Sequence, residues 1–215
     1  MEIKILKDIL QRNEDRANQI RSFLNEKKSV LFNVMGSPGA GKTSFITSLI
    51  NRIDKNIYVI EGDVASSIDA QKIASLGVKT IQINTGGACH LVSETIFDAL
   101  NELKIDEGSI IFVENIGNLI CPASFDIGEN YRIVISSAAE GDDKPYKYPD
   151  MFEKADLVVL SKMDVADIIG FDKQNYLNGL NMIKDNINLV EVSFKTGYGL
   201  DNLIQTINKM VESKS

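Results

Sequence analysis

The chain has 215 residues, 44% of them hydrophobic and 25% charged, with 23 basic against 30 acidic side chains and a formal net charge of −7. That balance suits one globular domain with a sizeable core, and it argues against general nucleic-acid binding, which needs a basic face. A single His and two Cys cannot build a disulfide framework; they favour a cytoplasmic setting and confine any thiolate or imidazole chemistry to Cys89, His90 and Cys121.

In chain order, residues 3–27 read as an amphipathic helix. Ile3, Leu6 and Leu10 share one face, as do Ile20, Phe23 and Leu24, with charges opposite. This leading element, 1–28, is expected to cover the core of a main domain, 29–215, or to dock a partner. It alternates apolar and charged residues, so it lacks a signal-peptide core, and no apolar run approaches the roughly 20 residues of a membrane helix. Ser29–Met35 is a nearly continuous apolar run that ends at Gly36, as a strand buried on both faces would. Further strands are expected at Ile57–Glu61, Val78–Asn84, Ser109–Glu114, Tyr131–Ser137, Asp156–Ser161 and Asn188–Ser193. Helices are expected at Lys42–Arg52, Ala65–Leu76, Leu91–Glu102, Lys173–Asp185 and Leu200–Glu212. Such alternation predicts βαβ units and a mostly parallel sheet flanked by helices. Two long polar connections, Asn115–Asn130 and Ala139–Pro149, have the length of functional or mobile loops.

Between the first strand and the next helix lies Gly36-Ser37-Pro38-Gly39-Ala40-Gly41-Lys42-Thr43, followed by Ser44. This is the G-x-x-x-x-G-K-T phosphate loop in its required strand–loop–helix setting. Its glycines let consecutive backbone N–H groups turn toward an anion, and the helix N-terminus adds unsatisfied donors. The Lys42 ammonium suits β- and γ-phosphates, and the Thr43 hydroxyl suits Mg²⁺. Glu114, at the end of the strand IIFVE, and Asp63, just after IYVIE, would lie at the carboxyl edge of a parallel sheet. Both are candidates to hold Mg²⁺, directly or through water, or else to cap a neighbouring element.

Two later fragments bear on the base. Ser161-Lys162-Met163-Asp164 resembles the N-K-x-D guanine motif with Ser in place of Asn. Ionised Asp164 accepts hydrogen bonds only, which fits the two adjacent donors of guanine and rejects adenine. The stem of Lys162 would cover one face of the base. The Ser replacement is expected to remove an amide that braces the loop and so to weaken affinity. Ser193-Phe194-Lys195-Thr196 resembles the S-A-K loop, which meets the guanine carbonyl through a backbone N–H. Together the fragments point to GTP and GDP rather than adenine nucleotides.

Cys89 and His90 follow one strand and Cys121 follows another, so both segments are expected on the same sheet edge. Thiolates and imidazole suit Zn²⁺ or Ni²⁺. Spacing alone leaves open that they are small packing residues, since no C-x-x-C occurs. Three ligands do not complete a tetrahedral site; water, a backbone group or a second copy of the chain would supply the remainder.

GSPGAGKT, EGDVASSIDA, TGGACHL, VENIGNLICPASFDIGE and SAAEGDDKPYKYPDMF occur in the order found in the hydrogenase nickel incorporation proteins, the accessory GTPases of nickel–iron hydrogenase maturation. The chain resembles that family over about residues 10 to 212. The resemblance implies the signal-recognition/MinD-like branch of P-loop GTPases, with a seven-stranded sheet. It implies a GTP-dependent homodimer that hydrolyses GTP slowly and passes nickel to the hydrogenase large subunit with a small zinc-containing nickel chaperone. Cys89, His90 and Cys121 match the family's metal site at the dimer interface. The N-terminal Cys-rich motif and His-rich tract of some members are absent from this sequence, so their nickel-storage role is not expected. Another metallocentre GTPase, such as a urease nickel accessory protein, is the alternative, but its usual Cys-Pro-His motif is missing.

On this reading Lys42 and Asp63 act in catalysis, with Asp63 sensing the γ-phosphate. Asn115 stands where Ras-type enzymes carry a Gln, consistent with slow turnover. Lys144 and Lys147 are candidates for contacts across a dimer.

Overall fold

The computed structural model describes residues 2–63 and 73–214, with side chains described from Leu10 onward and not at Asp63. Seven strands form one sheet in the order β3-β2-β4-β1-β5-β6-β7. They are β1 (Val30–Met35), β2 (Ile57–Asp63), β3 (Lys79–Asn84), β4 (Ile110–Glu114), β5 (Tyr131–Ser137), β6 (Leu157–Ser161) and β7 (Leu189–Glu191). Every pairing is parallel, so all seven strands end at one edge. β1, β4 and β6 are buried along their whole length, which is why they read as unbroken apolar runs rather than alternating ones.

Alternation along β1 divides the core. Phe32 packs with Phe45, Ile46 and Leu49 of α2 (Lys42–Leu49) and with Leu203 and Ile207 of the C-terminal helix Leu200–Glu212. Leu31 faces the other way, toward Ile20 and Leu24 of α1 (Glu2–Glu26) and Ile96 and Leu100 of α3 (Ser93–Leu103). A third cluster joins Met35, Val134 and Val158 to Tyr176 and Leu180 of the helix Lys173–Ile183. Burial of each such side chain contributes about 1.5–3 kcal/mol.

The expected strands and helices occur with ends shifted by up to three residues, except that the helix expected at Ala65–Leu76 lies largely outside the described residues. The two long connections are not wholly irregular. They contain short helices at Cys121–Ser124 and Lys144–Lys147, and the second leads into another at Pro149–Glu153, each with Pro122, Pro145 or Pro149 in its first two positions. Proline there lacks only an N–H that the first turn leaves unpaired in any case, so it starts a helix as readily as it breaks one.

The described part of α1, from Leu10 onward, packs through its second half. Ala17, Ile20 and Leu24 are fully enclosed, whereas Leu10, expected on a packed face, is 47% exposed. The helix is pinned through Asn13, whose Oδ1 accepts from the Ser93 backbone N–H at 3.1 Å and from the Ser93 hydroxyl at 2.9 Å. Asn13 Nδ2 donates to the Asp126 carbonyl at 2.7 Å. Val92, the N-cap of α3, has no capping side chain, so Asn13 caps that helix from another element. Asn13→Ala is expected to destabilise the fold by about 1–2 kcal/mol, the scale of a lost cap. A urea midpoint unchanged from wild type would refute this role.

Candidate nucleotide and metal site

The site forms where β1, β2 and β4 end together. A cavity of about 450 Å³ opens there, lined by the phosphate loop and by Lys42, Thr43, Ser44, Glu61, Glu114 and Lys162. Gly41 precedes α2 with φ +108°, and Lys42 opens the helix. Lys42 is buried, and its ammonium donates to the carbonyls of Gly36 at 3.3 Å and Ser37 at 3.2 Å. A phosphate entering the loop would offer that ammonium charge-assisted bonds of greater strength. Thr43 Oγ1 donates to Glu114 Oε1 at 3.0 Å, which places a hydroxyl and a carboxylate side by side for a hard cation.

Asp63 ends β2 opposite Asn84; its side chain lies outside the described residues. The β2 carboxylate seen in the cavity is Glu61, which pairs in register with Glu114 and is 2% exposed. Sequence reasoning passed over it. The available signal was its period: Glu61 and Asp63 fall two residues apart on an otherwise apolar strand, and so on one face.

Ser37 is held from outside the loop. Its hydroxyl donates to Glu140, whose other oxygen accepts from the Ser137 backbone N–H at 3.1 Å in a capping box. Burial pushes the Glu140 carboxyl above its ordinary range, opposed by that backbone bond and by the charges of Lys144, Lys162 and Lys42. Of the two lysines expected to reach a partner, Lys147 is ion-paired to Asp143 and Lys144 lies over the Tyr148 ring.

The base-side fragments meet as well. Lys162 adopts φ +58° and turns the chain so that Asp164 follows beside the last strand. The fully buried Ser193 donates its hydroxyl to Asp164 Oδ1 at 2.7 Å, fixing the carboxylate's orientation. The Phe194 ring packs near Gly41, and Lys195 is exposed. Ser161, expected to forfeit the amide brace of an Asn, makes a bond of its own. Its hydroxyl, also fully buried, donates to the Ala40 carbonyl at 2.6 Å and so ties this segment to the phosphate loop. The short side chain reaches the loop because β6 carries Ser161 directly against it.

Cys89, His90 and Cys121 come together, with one ligand atom from each lying within 4.8 Å of the others. Cys89 Sγ is 3.4 Å from His90 Nδ1, and the imidazole stacks on Phe125 at 3.7 Å between centroids. Burial pushes the His90 pKa down, which keeps the ring neutral and its nitrogen available to a metal. The Cys121 thiol is pushed up, first by its hydrogen bond with Cys89 and then by burial. The donor set and its spacing fit one borderline or soft divalent ion.

Residues 30–190 match the family described as CobW/HypB/UreG, nucleotide-binding domain. The chain is 41% identical over 212 residues to the probable hydrogenase maturation factor HypB of Methanocaldococcus jannaschii, spanning 98% of this chain and 96% of that protein. It belongs to the HypB family. Two crystal structures share the fold over 94% of the chain. HypB from Archaeoglobus fulgidus superposes with a TM-score of 0.88 at 36% identity over 100% of its length. HypB from Helicobacter pylori in complex with nickel gives 0.87 at 32% identity over 96% of its length. No described helix of this HypB family member is long and apolar enough to cross a membrane.

Within this family member the Ser161 bridge makes a measurable claim. Ser161→Ala leaves the Ala40 carbonyl without that donor and is expected to weaken GDP binding about five- to tenfold, the worth of one buried hydrogen bond. Fluorescent-nucleotide titration measures this, and unchanged affinity would show that the bridge does not hold the loop.

Proposed function

We propose that this chain is a GTP-hydrolysing metallochaperone that supports nickel insertion into the hydrogenase large subunit. The observation that carries the reading is the shared framework of the two sites: the segment that leaves β4 beside the phosphate loop also delivers Cys121 to the soft-metal cluster. The names of the relatives agree with it, since they are hydrogenase maturation factors and one was solved with nickel.

In this reading the phosphate loop and Lys42 bind GTP, with Asp164 and the Ser193–Lys195 loop selecting guanine. The Thr43 hydroxyl and the carboxylates of Glu114 and Asp63 would hold Mg²⁺, which would offset phosphate charge. Glu61 stands beside them as a further carboxylate. Hydrolysis is slow because no Gln follows Glu114 to orient water. The cluster takes Ni²⁺ or Zn²⁺ as cargo. Its three ligands leave a position for water or for donors from a second copy, which supports a GTP-dependent homodimer with the metal at the interface. A small zinc-containing nickel chaperone would exchange cargo with that site.

Two substitutions separate the activities. Lys42→Ala is expected to abolish GTP hydrolysis while far-ultraviolet circular dichroism stays native. Cys121→Ala is expected to keep GTP binding and lose metal stoichiometry; full Ni²⁺ or Zn²⁺ binding in that variant removes Cys121 from the site. The pH dependence follows from the thiol. With its pKa raised, Cys121 is protonated at neutral pH, so metal must displace that proton, whereas neutral His90 releases none. Apparent Ni²⁺ affinity is therefore expected to rise with pH, by about tenfold per unit for each proton displaced. Chelator-competition titrations between about pH 6.5 and 8.5 measure the slope, and a flat profile excludes thiolate ligation.

A further inference from the structure

Asn115 continues the β4 ladder one residue past Glu114, its N–H bonding the Val34 carbonyl at 2.9 Å. Strand alternation therefore turns these neighbours to opposite faces of the sheet. Glu114 faces Thr43 and the cavity. The Asn115 carboxamide faces Asn33, and the residue is 2% exposed.

That carboxamide joins three elements. Its Oδ1 accepts from its neighbour Ile116 N–H at 2.9 Å and from Leu91 N–H, 24 residues away, at 3.3 Å. Its Nδ2 donates to Asn33 Oδ1 at 3.1 Å. Asn33 in turn donates to Glu129 at 3.3 Å, and Arg132 holds Glu129 at 2.5 Å. The carboxamide is therefore fixed from behind. Leu91 follows His90 directly, so its N–H is the anchor of the Cys89–His90 arm. The Leu91 side chain also presses on Gly62, where a Cβ would come within 2.8 Å of it.

The other arm hangs on the same segment. Asn118 Oδ1 accepts from Ile120 N–H at 2.8 Å and from Cys121 N–H at 3.4 Å, and its backbone bridges to Gly36 of the phosphate loop. Gly117 lies so close to Pro38 that a Cβ would meet it at 2.8 Å. Any shift of the phosphate loop thus bears on residues 115–118, and through them on both arms.

We propose that Asn115 is a positioning residue for the soft-metal site, setting the separation of its two arms according to the nucleotide bound. The proposal rests on the reading that the cavity takes GTP and the cluster takes Ni²⁺. The full chain is titrated with Ni²⁺ against a chromophoric chelator, at saturating GDP and at a saturating non-hydrolysable GTP analogue. The two wild-type dissociation constants are expected to differ by about fivefold or more, a usual size for coupled sites. Asn115→Ala is expected to make them equal. Asn115→Asp keeps the acceptor for both N–H groups but loses the donor to Asn33 beside Glu129, so it is expected to reduce the difference without abolishing it. In the wild-type chain, hydrogen exchange of the Leu91 amide is expected to differ between the nucleotide states, a readout that does not depend on any variant folding. The proposal alone is overturned by equal wild-type constants, by a difference that persists in Asn115→Ala, by its loss in Asn115→Asp, or by identical Leu91 exchange in both states. A wild-type chain that binds no GTP or no Ni²⁺ overturns the functional reading and the proposal with it.

Discussion

The constraint on which the rest depends is that all seven strands are parallel and end at one edge. In such a sheet the strand ends are the one place where loops from distant parts of the sequence converge without crossing the core. β1 delivers the phosphate loop there, β2 delivers Glu61 and Asp63, β3 leads into Cys89 and His90, and β4 leads into Cys121. Because β2 lies between β3 and β4, with β1 next to β4, the metal arms and the phosphate loop are forced to be neighbours. No separate device is needed to bring the two chemistries together.

Burial on both sheet faces has a second consequence. A polar group at the strand ends cannot rest in an apolar layer without a partner, since leaving it unbonded would cost about 1–3 kcal/mol. Asn33, Asn115 and Glu129 meet this requirement through one another and through Arg132. The result is a fixed polar post inside an otherwise hydrocarbon core. Ser161 and Ser193 do the same on the other side of β1, each directing a buried hydroxyl at the loop or carboxylate it holds. In the three strands buried along their whole length, β1, β4 and β6, the positions other than Asn33, Glu114 and Ser161 are filled by Val, Ile, Leu, Phe and Met35.

Much of the fold was legible because its signals are local. The phosphate loop is a short motif flanked by an apolar run and a helix, and each buried strand declares itself by its apolar run. What the sequence hid depends on distance. Asn13 caps α3 across 80 residues, and nothing near Ser93 in the chain announces it. Ser161 looked like a weakened Asn because its partner, the Ala40 carbonyl, is 121 residues away. Glu61 was passed over because an acid inside an apolar strand carries no motif, only a register that pairing with β4 reveals. The short helices at Cys121–Ser124 and Lys144–Lys147 were hidden for a different reason: the proline in each signals irregular chain or the first turn of a helix with equal force, and only the surrounding packing decides.

The ligand set also bears on what kind of metal site this chain can make. A structural zinc site closes all four positions with side chains and becomes part of the folding free energy. Cys89, His90 and Cys121 supply three donors from two loops, near the surface and hung on the segment that borders the phosphate loop. Such a site leaves the ion accessible to exchange, and its geometry can change without unfolding the core beneath it. Both properties would be faults in a structural site and are requirements in one that must give its metal away.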